Sequence, residues 1–263
     1  MTSTTAPQRG VFASFAFLLI SMLSAQALAF DVGGFSYTNI IRTFVQVDGC
    51  DVVPCAVKDI VIPATVVDSG TTYSVTFIAS QAFDGNALTS VIIPDTVQTI
   101  ATAAFQNNAL TSVIIPDSVT SIGQGAFDGN ALTSVIIGNS VRAIGAGAFA
   151  ENALTSVIIP DTVQIIGTVA FGRNALTSAA FLGNYETFDL NMFQPNANLA
   201  TITYCEGTTG WPQDFDNGST VITTTSIACG AVVATPVPTS PIWLLGIMAG
   251  LLSLVGMRKL CKT

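Results

Sequence analysis

The phrase ALTSVIIPD occupies residues 87–95, 109–117 and 153–161, and near-copies begin at Ala131 and Ala175. Every interval is a multiple of 22 residues. No other feature narrows the fold so far. A fixed period of this length is the mark of a solenoid, in which one short unit stacks on the next. A single unit buries too little to fold alone, so the coils must share a core and the two ends need covers.

The unit reads L-x-x-V-x-I-P-x-x-V-x-x-I-G-x-x-A-F-x-x-N. In the copy at Leu110, Val113 and Ile115 alternate with Ser112 and Ile114, which predicts a strand with one buried face. Pro116-Asp117 ends the strand. Val119 and Ile122 are the next inward residues, Gly123 breaks the path, and Ala126-Phe127 tucks in on a short turn or helical piece. Three columns follow from the period. Leu88, Leu110, Leu132, Leu154 and Leu176 form one. Phe83, Phe105, Phe127, Phe149, Phe171 and Phe193 form an aromatic spine. Asn86, Asn108, Asn130, Asn152, Asn174 and Asn196 are expected to satisfy backbone groups that the turns leave unpaired.

The same parity sends other residues outward. Ser90 with Ile92, Ser112 with Ile114, Ser134 with Ile136, and Ser156 with Ile158 would face solvent along the strands. Isoleucines stacked at roughly 4.8 Å per rung form an apolar ridge beside a serine ladder. Contiguous exposed apolar area marks an interaction surface, although β-branched residues also stack well on any strand. These eight residues are the candidate binding site. Two functions use such a face: a binding or adhesion module that contacts a protein or glycan, or a structural matrix component that associates with itself.

Chemistry by side chains is poorly supplied. The chain has no histidine, which removes Ser-His-Asp and Cys-His machinery. No phosphate-cradling loop or zinc spacing is present. No catalytic residue, metal site or cofactor is expected, and the chain reads as a non-enzyme. Asp95, Asp117 and Asp161 form a column of carboxylates that would suit calcium, but Asn139 interrupts it and Asp after Pro is an ordinary turn residue. Residues 30–235 carry four bases (Arg42, Lys58, Arg142, Arg173) against all sixteen acids, a net charge of −12. Such a body is kept away from nucleic acid.

The two ends carry addresses. Arg9, an apolar run at 11–23 and the small-x-small triplet Ala27-Leu28-Ala29 have the order of a secretory signal, with a mature start near Phe30. At the other end a Pro-rich stretch at 236–241 precedes sixteen uncharged residues, 242–257, and then Arg258, Lys259 and Lys262. That run is slightly short for a span of roughly 20 residues, and the basic end predicts a cytoplasmic C-terminus. Cys50, Cys55, Cys205 and Cys229 suit an oxidising compartment and allow three pairings. Local pairs, Cys50 with Cys55 and Cys205 with Cys229, are expected because the repeats separate them.

The unit resembles the BspA-like leucine-rich repeats of bacterial and some protist surface proteins, from about Asp59 to Asn217. On that resemblance, 59–63 is an opening coil, 68–76 a hairpin-like insertion, and 201–204 with Gly210-Trp211 a closing segment. Ala101 stands for the usual Gly, Gly138-Asn139 for Pro-Asp, and Ala179-Ala180-Phe181 for the usual strand. The tail is similar to bacterial sorting tags of the PEP-CTERM and IPTL-CTERM type, with Ser240 where the latter place Leu; a membrane protease is thought to cut such tags. A plain single-pass anchor is the alternative. The resemblance implies a right-handed leucine-rich repeat coil, mainly β, capped at both ends. The expected organisation is 1–29 signal peptide, 30–58 N-terminal cap, 59–199 repeats, 200–234 C-terminal cap, and 235–263 Pro-rich motif, transmembrane segment and basic tail. The expected location is the cell surface or the medium, with the membrane a partner until the tail is processed.

Overall fold

The computed structural model describes residues 29–41, 44–50, 58–184, 190–208, 214–216 and 221–227. The expected signal peptide (up to 28) and the tail, with its span and sorting motif, lie outside them. Among the described residues no helix is long and apolar enough to cross a membrane.

The chain winds as a β-solenoid of about six turns. Its main row consists of the strands Asp59–Val61, Ser90–Ile92, Ser112–Ile114, Ser134–Ile136, Ser156–Ile159 and Ser178–Phe181. Pairing is parallel and couples each residue to its counterpart one coil later, as Ser112 with Ser134 and Ile114 with Ile136. The first coil is longer, since Asp59 pairs with Ser90. The excess is an antiparallel hairpin of Thr65–Asp68 on Thr71–Ile78, at the expected insertion.

The sequence did not display a second row. Thr99–Ile100, Ser121–Ile122, Ala143–Ile144 and Ile165–Ile166 pair in parallel and continue through Thr71–Ile78 into the antiparallel strands Phe44–Cys50, Phe35–Ile41 and Ala29–Val32. The main row is instead divided into three ladders, one of which runs on into Thr201–Cys205 and Val221–Ile227. Bonds such as Ala109 N–H to the Leu88 carbonyl (2.8 Å) and Ala153 N–H to the Leu132 carbonyl (2.9 Å) join the coils across the gaps.

Of the two forms expected for the Ala-Phe segments, a short turn or a helical piece, the structure has the turn; the one helix among the described residues is the 3₁₀ turn Leu190–Phe193. The cause is a left-handed residue two positions before each phenylalanine. Gln81, Ala103, Gly125, Gly147 and Val169 all have φ between 55° and 63°, and a left-handed residue cannot propagate a right-handed helix. A second left-handed column, Gly85, Asn107, Gly129, Glu151 and Arg173, follows two residues after the phenylalanine.

The core fills the coil. The leucine column is fully buried, and so are the phenylalanines from Phe83 to Phe171. Their rings stack with centroids 5.2–5.4 Å apart, and Phe193 continues the stack at 6.0 Å with a 33° tilt. Beside them runs the asparagine ladder. Asn152 Oδ1 accepts from Leu132 N–H (2.9 Å), while its Nδ2 donates to the carbonyls of Phe127 (2.9 Å), Phe149 (3.2 Å) and Ala150 (2.9 Å). Asn130 and Asn174 repeat the pattern. Each side chain thus satisfies groups of its own coil and the coil before, as buried polar groups require. The glycines after the second row have another cause. A Cβ on Gly145 would lie 2.5–2.8 Å from the backbone of Gly123 and Gln124, so only glycine lets the coils approach.

Candidate functional site on the strand face

The main row presents three outward columns. Thr89, Thr111, Thr133, Thr155 and Thr177 are exposed in every coil. Ser112 is exposed, while Ser90, Ser134 and Ser156 are partly covered. Ile92 is 40% exposed, and Ile114, Ile136 and Ile158 are half-buried against their stacked neighbours. Val91, Val113 and Val157 face inward, so the parity is as expected; Val135 is buried only in part. Val61 extends the apolar column by one coil at 60% exposure, in register with Ile92. Sequence reasoning stopped at Ile92 because Val61 lies beyond the longer first coil. At the far end the column becomes Ala180 and then Thr203.

The two hydroxyl columns differ. Thr133 Oγ1 donates to the Thr111 carbonyl and Thr177 Oγ1 to the Thr155 carbonyl, both at 3.2 Å. These threonines stitch coils together. Ser112, Ser134, Ser156 and Ser178 have no internal hydroxyl partner among the described residues. Only Ser90 is engaged. Its Oγ donates to Asp59 Oδ1 (2.7 Å), which also accepts from Thr89 Oγ1 (2.8 Å). These bonds, from Ser90 first, hold the Asp59 carboxyl below the ordinary carboxylate range. From Thr89 to Phe181 the five TSxxx segments carry no charge. Charges lie beyond them: Lys58 and Asp59 at one end, in the coil before Thr89 and Ser90, and Asp95, Asp117 and Asp161 past the strand ends. Asn139 N–H donates to Asp117 Oδ1 (2.7 Å), so that carboxylate supports the turn of the next coil.

The turn side carries a shallow cavity of about 300 Å³, floored by Ala103, Gly125 and Gly147. Its polar walls are self-satisfied: Gln106 Nε2 donates to Asp128 Oδ2 (2.8 Å), and Arg173 pairs with Glu151. Among the described residues no cluster of Cys, Asp and Glu is arranged to hold a metal ion. Cys50 and Cys205 are both disulfide-bonded; Cys55 and Cys229 lie outside the described residues.

Residues 76–200 match the BspA type leucine rich repeat region in six copies. Among solved structures the chain is similar to a leucine-rich repeat protein from Bacteroides ovatus, with 21% identity and a TM-score of 0.54, over 75% of this chain and 67% of that one. It is also similar to the pneumococcal vaccine antigen PcpA, with 17% identity and a TM-score of 0.50, over 69% of this chain and 65% of that one. The chain therefore spans about two thirds of either structure. At these identities the likeness is one of fold. No curated protein matches the chain.

Proposed function

We propose that this chain, whose residues 76–200 are BspA-type leucine-rich repeats, is a non-enzymatic binding or adhesion module that works outside the cytoplasm through its strand face. The observation that carries this is the uncharged band of Thr, Ser and Ile repeated along the main row, with Ile92 and Val61 exposed at its end. Export rests on the signal-like start at 1–29, and retention or release on the tail at 235–263.

The test is the double variant Ile114→Thr, Ile136→Thr in the full-length chain. Loss of binding to cells or surfaces, with the fold retained and the protein monomeric throughout, supports the adhesive reading. Loss of self-association instead would make the protein a matrix component. If neither property changes, the face has no role in binding. Mass spectrometry of the native protein, with its cell fraction, reads both termini and so tests the signal and the tail.

A further inference from the structure

The surface columns of a solenoid are free to diverge from coil to coil, since the core beneath them does not sense them. Some have diverged here, although the exposed Ala87, Ala109, Ala131, Ala153 and Ala175 have not. Along the second row the exposed column reads Gln98, Thr120, Arg142, Gln164. On the turn side the column two residues after the phenylalanine reads Asn107, Gly129, Glu151, Arg173. On the strand face four coils are identical, TSVII at 89, 111, 133 and 155, and the fifth keeps Thr and Ser but reads TSAAF at 177. Packing accounts for Val and the second Ile, and the hydroxyls of Thr89, Thr133 and Thr177 reach the coil before. The serines of the coils after the first stitch nothing, and the first Ile of each segment remains partly open to solvent. Their constancy points to a partner that itself repeats at the spacing of the coils.

Resting on the strand-face reading above, we propose that this partner is a linear, electrically neutral polysaccharide lying along the coil axis. Neutrality follows from the face: a charged group seated on hydroxyls and methyls loses hydration and gains no counter-charge. The free serine hydroxyls donate and accept, as a sugar's hydroxyls require, and the isoleucine ridge receives the carbon-bound hydrogens of the sugar rings. A second copy fits less well. It carries the same net charge of −8, and like charge opposes association. The face is also small for a protein partner. Five rungs of three residues span roughly 20 Å by 10 Å, against the roughly 800 Å² per partner of a standard protein interface. A polymer escapes that limit, because its units engage successive rungs at high effective concentration.

The probes are insoluble cellulose, chitin and β-1,3-glucan, with alginate as the anionic polymer, and the full-length chain is tested in sedimentation assays. Retention on at least one neutral polymer, with little on alginate, is expected. Soluble oligosaccharides of that polymer should compete better as they lengthen toward five units, while the monosaccharide fails. Ser134→Asp should weaken retention at least 10-fold, with Ser112→Asp as an independent second variant, while Thr120→Asp on the second row leaves it unchanged; circular dichroism confirms that all three fold. Failure to bind any neutral polymer, competition by the monosaccharide equal to that of the oligomers, or equal loss in Thr120→Asp would each overturn the proposal. If the polymers fail while Ile114→Thr, Ile136→Thr still abolishes adhesion to a protein-coated surface, only this proposal falls. If the double variant changes nothing either, the strand-face reading falls with it.

Discussion

The main row and the second row lie on one core, and both keep their inward residues: Val113 and Ile115 under one, Val119 and Ile122 under the other are all nearly inaccessible to solvent. Outside, they part. The second row shows a Gln, a Thr, an Arg and a Gln in one exposed column, whereas the main row repeats Thr, Ser and Ile. The demands of packing are alike on both, so packing does not explain the difference. A surface role does, and substitutions placed on either row test it.

The largest effect belongs to what both rows share. Phe127→Ala opens the aromatic spine between Phe105 and Phe149, and a deletion of this kind costs about 3–5 kcal/mol. Thermal unfolding by circular dichroism should show the two rows lost in one transition; two separate transitions would mean that they do not share a core. Gly145→Ala comes next. Its methyl would meet the backbone of the preceding coil, and overpacking costs about 1–3 kcal/mol. The change falls at the end of the second row, so hydrogen exchange should rise first at Ala143–Ile144 and later at Ser134–Ile136. Val169→Gly should act in the opposite direction. A β-branched residue at φ 57° is strained by roughly 1–2 kcal/mol, glycine returns about 0.5–1 of that as entropy, and urea unfolding should show a small gain in stability.

The sharpest comparison has the smallest stability effect. Ser112→Ala with Ser134→Ala on the main row, and Thr120→Ala on the second, should each stay within about 0.5 kcal/mol of the parent. A clear loss for the serine pair alone would make the constancy of that column structural and dissolve the contrast. A last measurement concerns the end of the face. Ser90→Ala should raise the Asp59 pKa toward the ordinary carboxylate value, read by NMR titration. Because that pKa is depressed in the folded chain, the stability linked to it is present above the unfolded pKa and is lost as pH falls through the folded value. The variant should lose less stability across that acid window than the parent; an unchanged profile would mean that the two hydroxyls do not hold the carboxylate.

Much of this architecture is written in the period. The leucine, phenylalanine and asparagine columns and the strand parity are legible because burial repeats every 22 residues, whereas the hairpin in the first coil breaks that period and was expected only from the family resemblance. What escaped has physical reasons. The second row consists of two-residue strands, too short for an alternating pattern. The left-handed columns were hidden because Ala103, Asn107, Glu151 and Arg173 occupy conformations that a reader assigns to glycine. Gly138-Asn139 looked like a departure from Pro-Asp; in the structure a side chain at 138 would strike the Pro116 carbonyl, and the Asn139 N–H is held by Asp117. The outward serines and isoleucines could be placed on the strand face from parity alone. That the hydroxyls of Thr133 and Thr177 bond to the coil before, while those of Ser112, Ser134 and Ser156 do not, required the coordinates.

The asparagine ladder has a consequence for growth. Each rung carries its own fastening to the rung beneath it, so a duplicated 22-residue segment arrives with every bond needed for its insertion and asks nothing new of its neighbours. The number of coils can thereby change between the two end covers while each coil keeps the same bonds to its neighbour. A lineage can lengthen or shorten the molecule one unit at a time, and with it the stretch of partner that it spans, as a ruler is recut without changing its graduations.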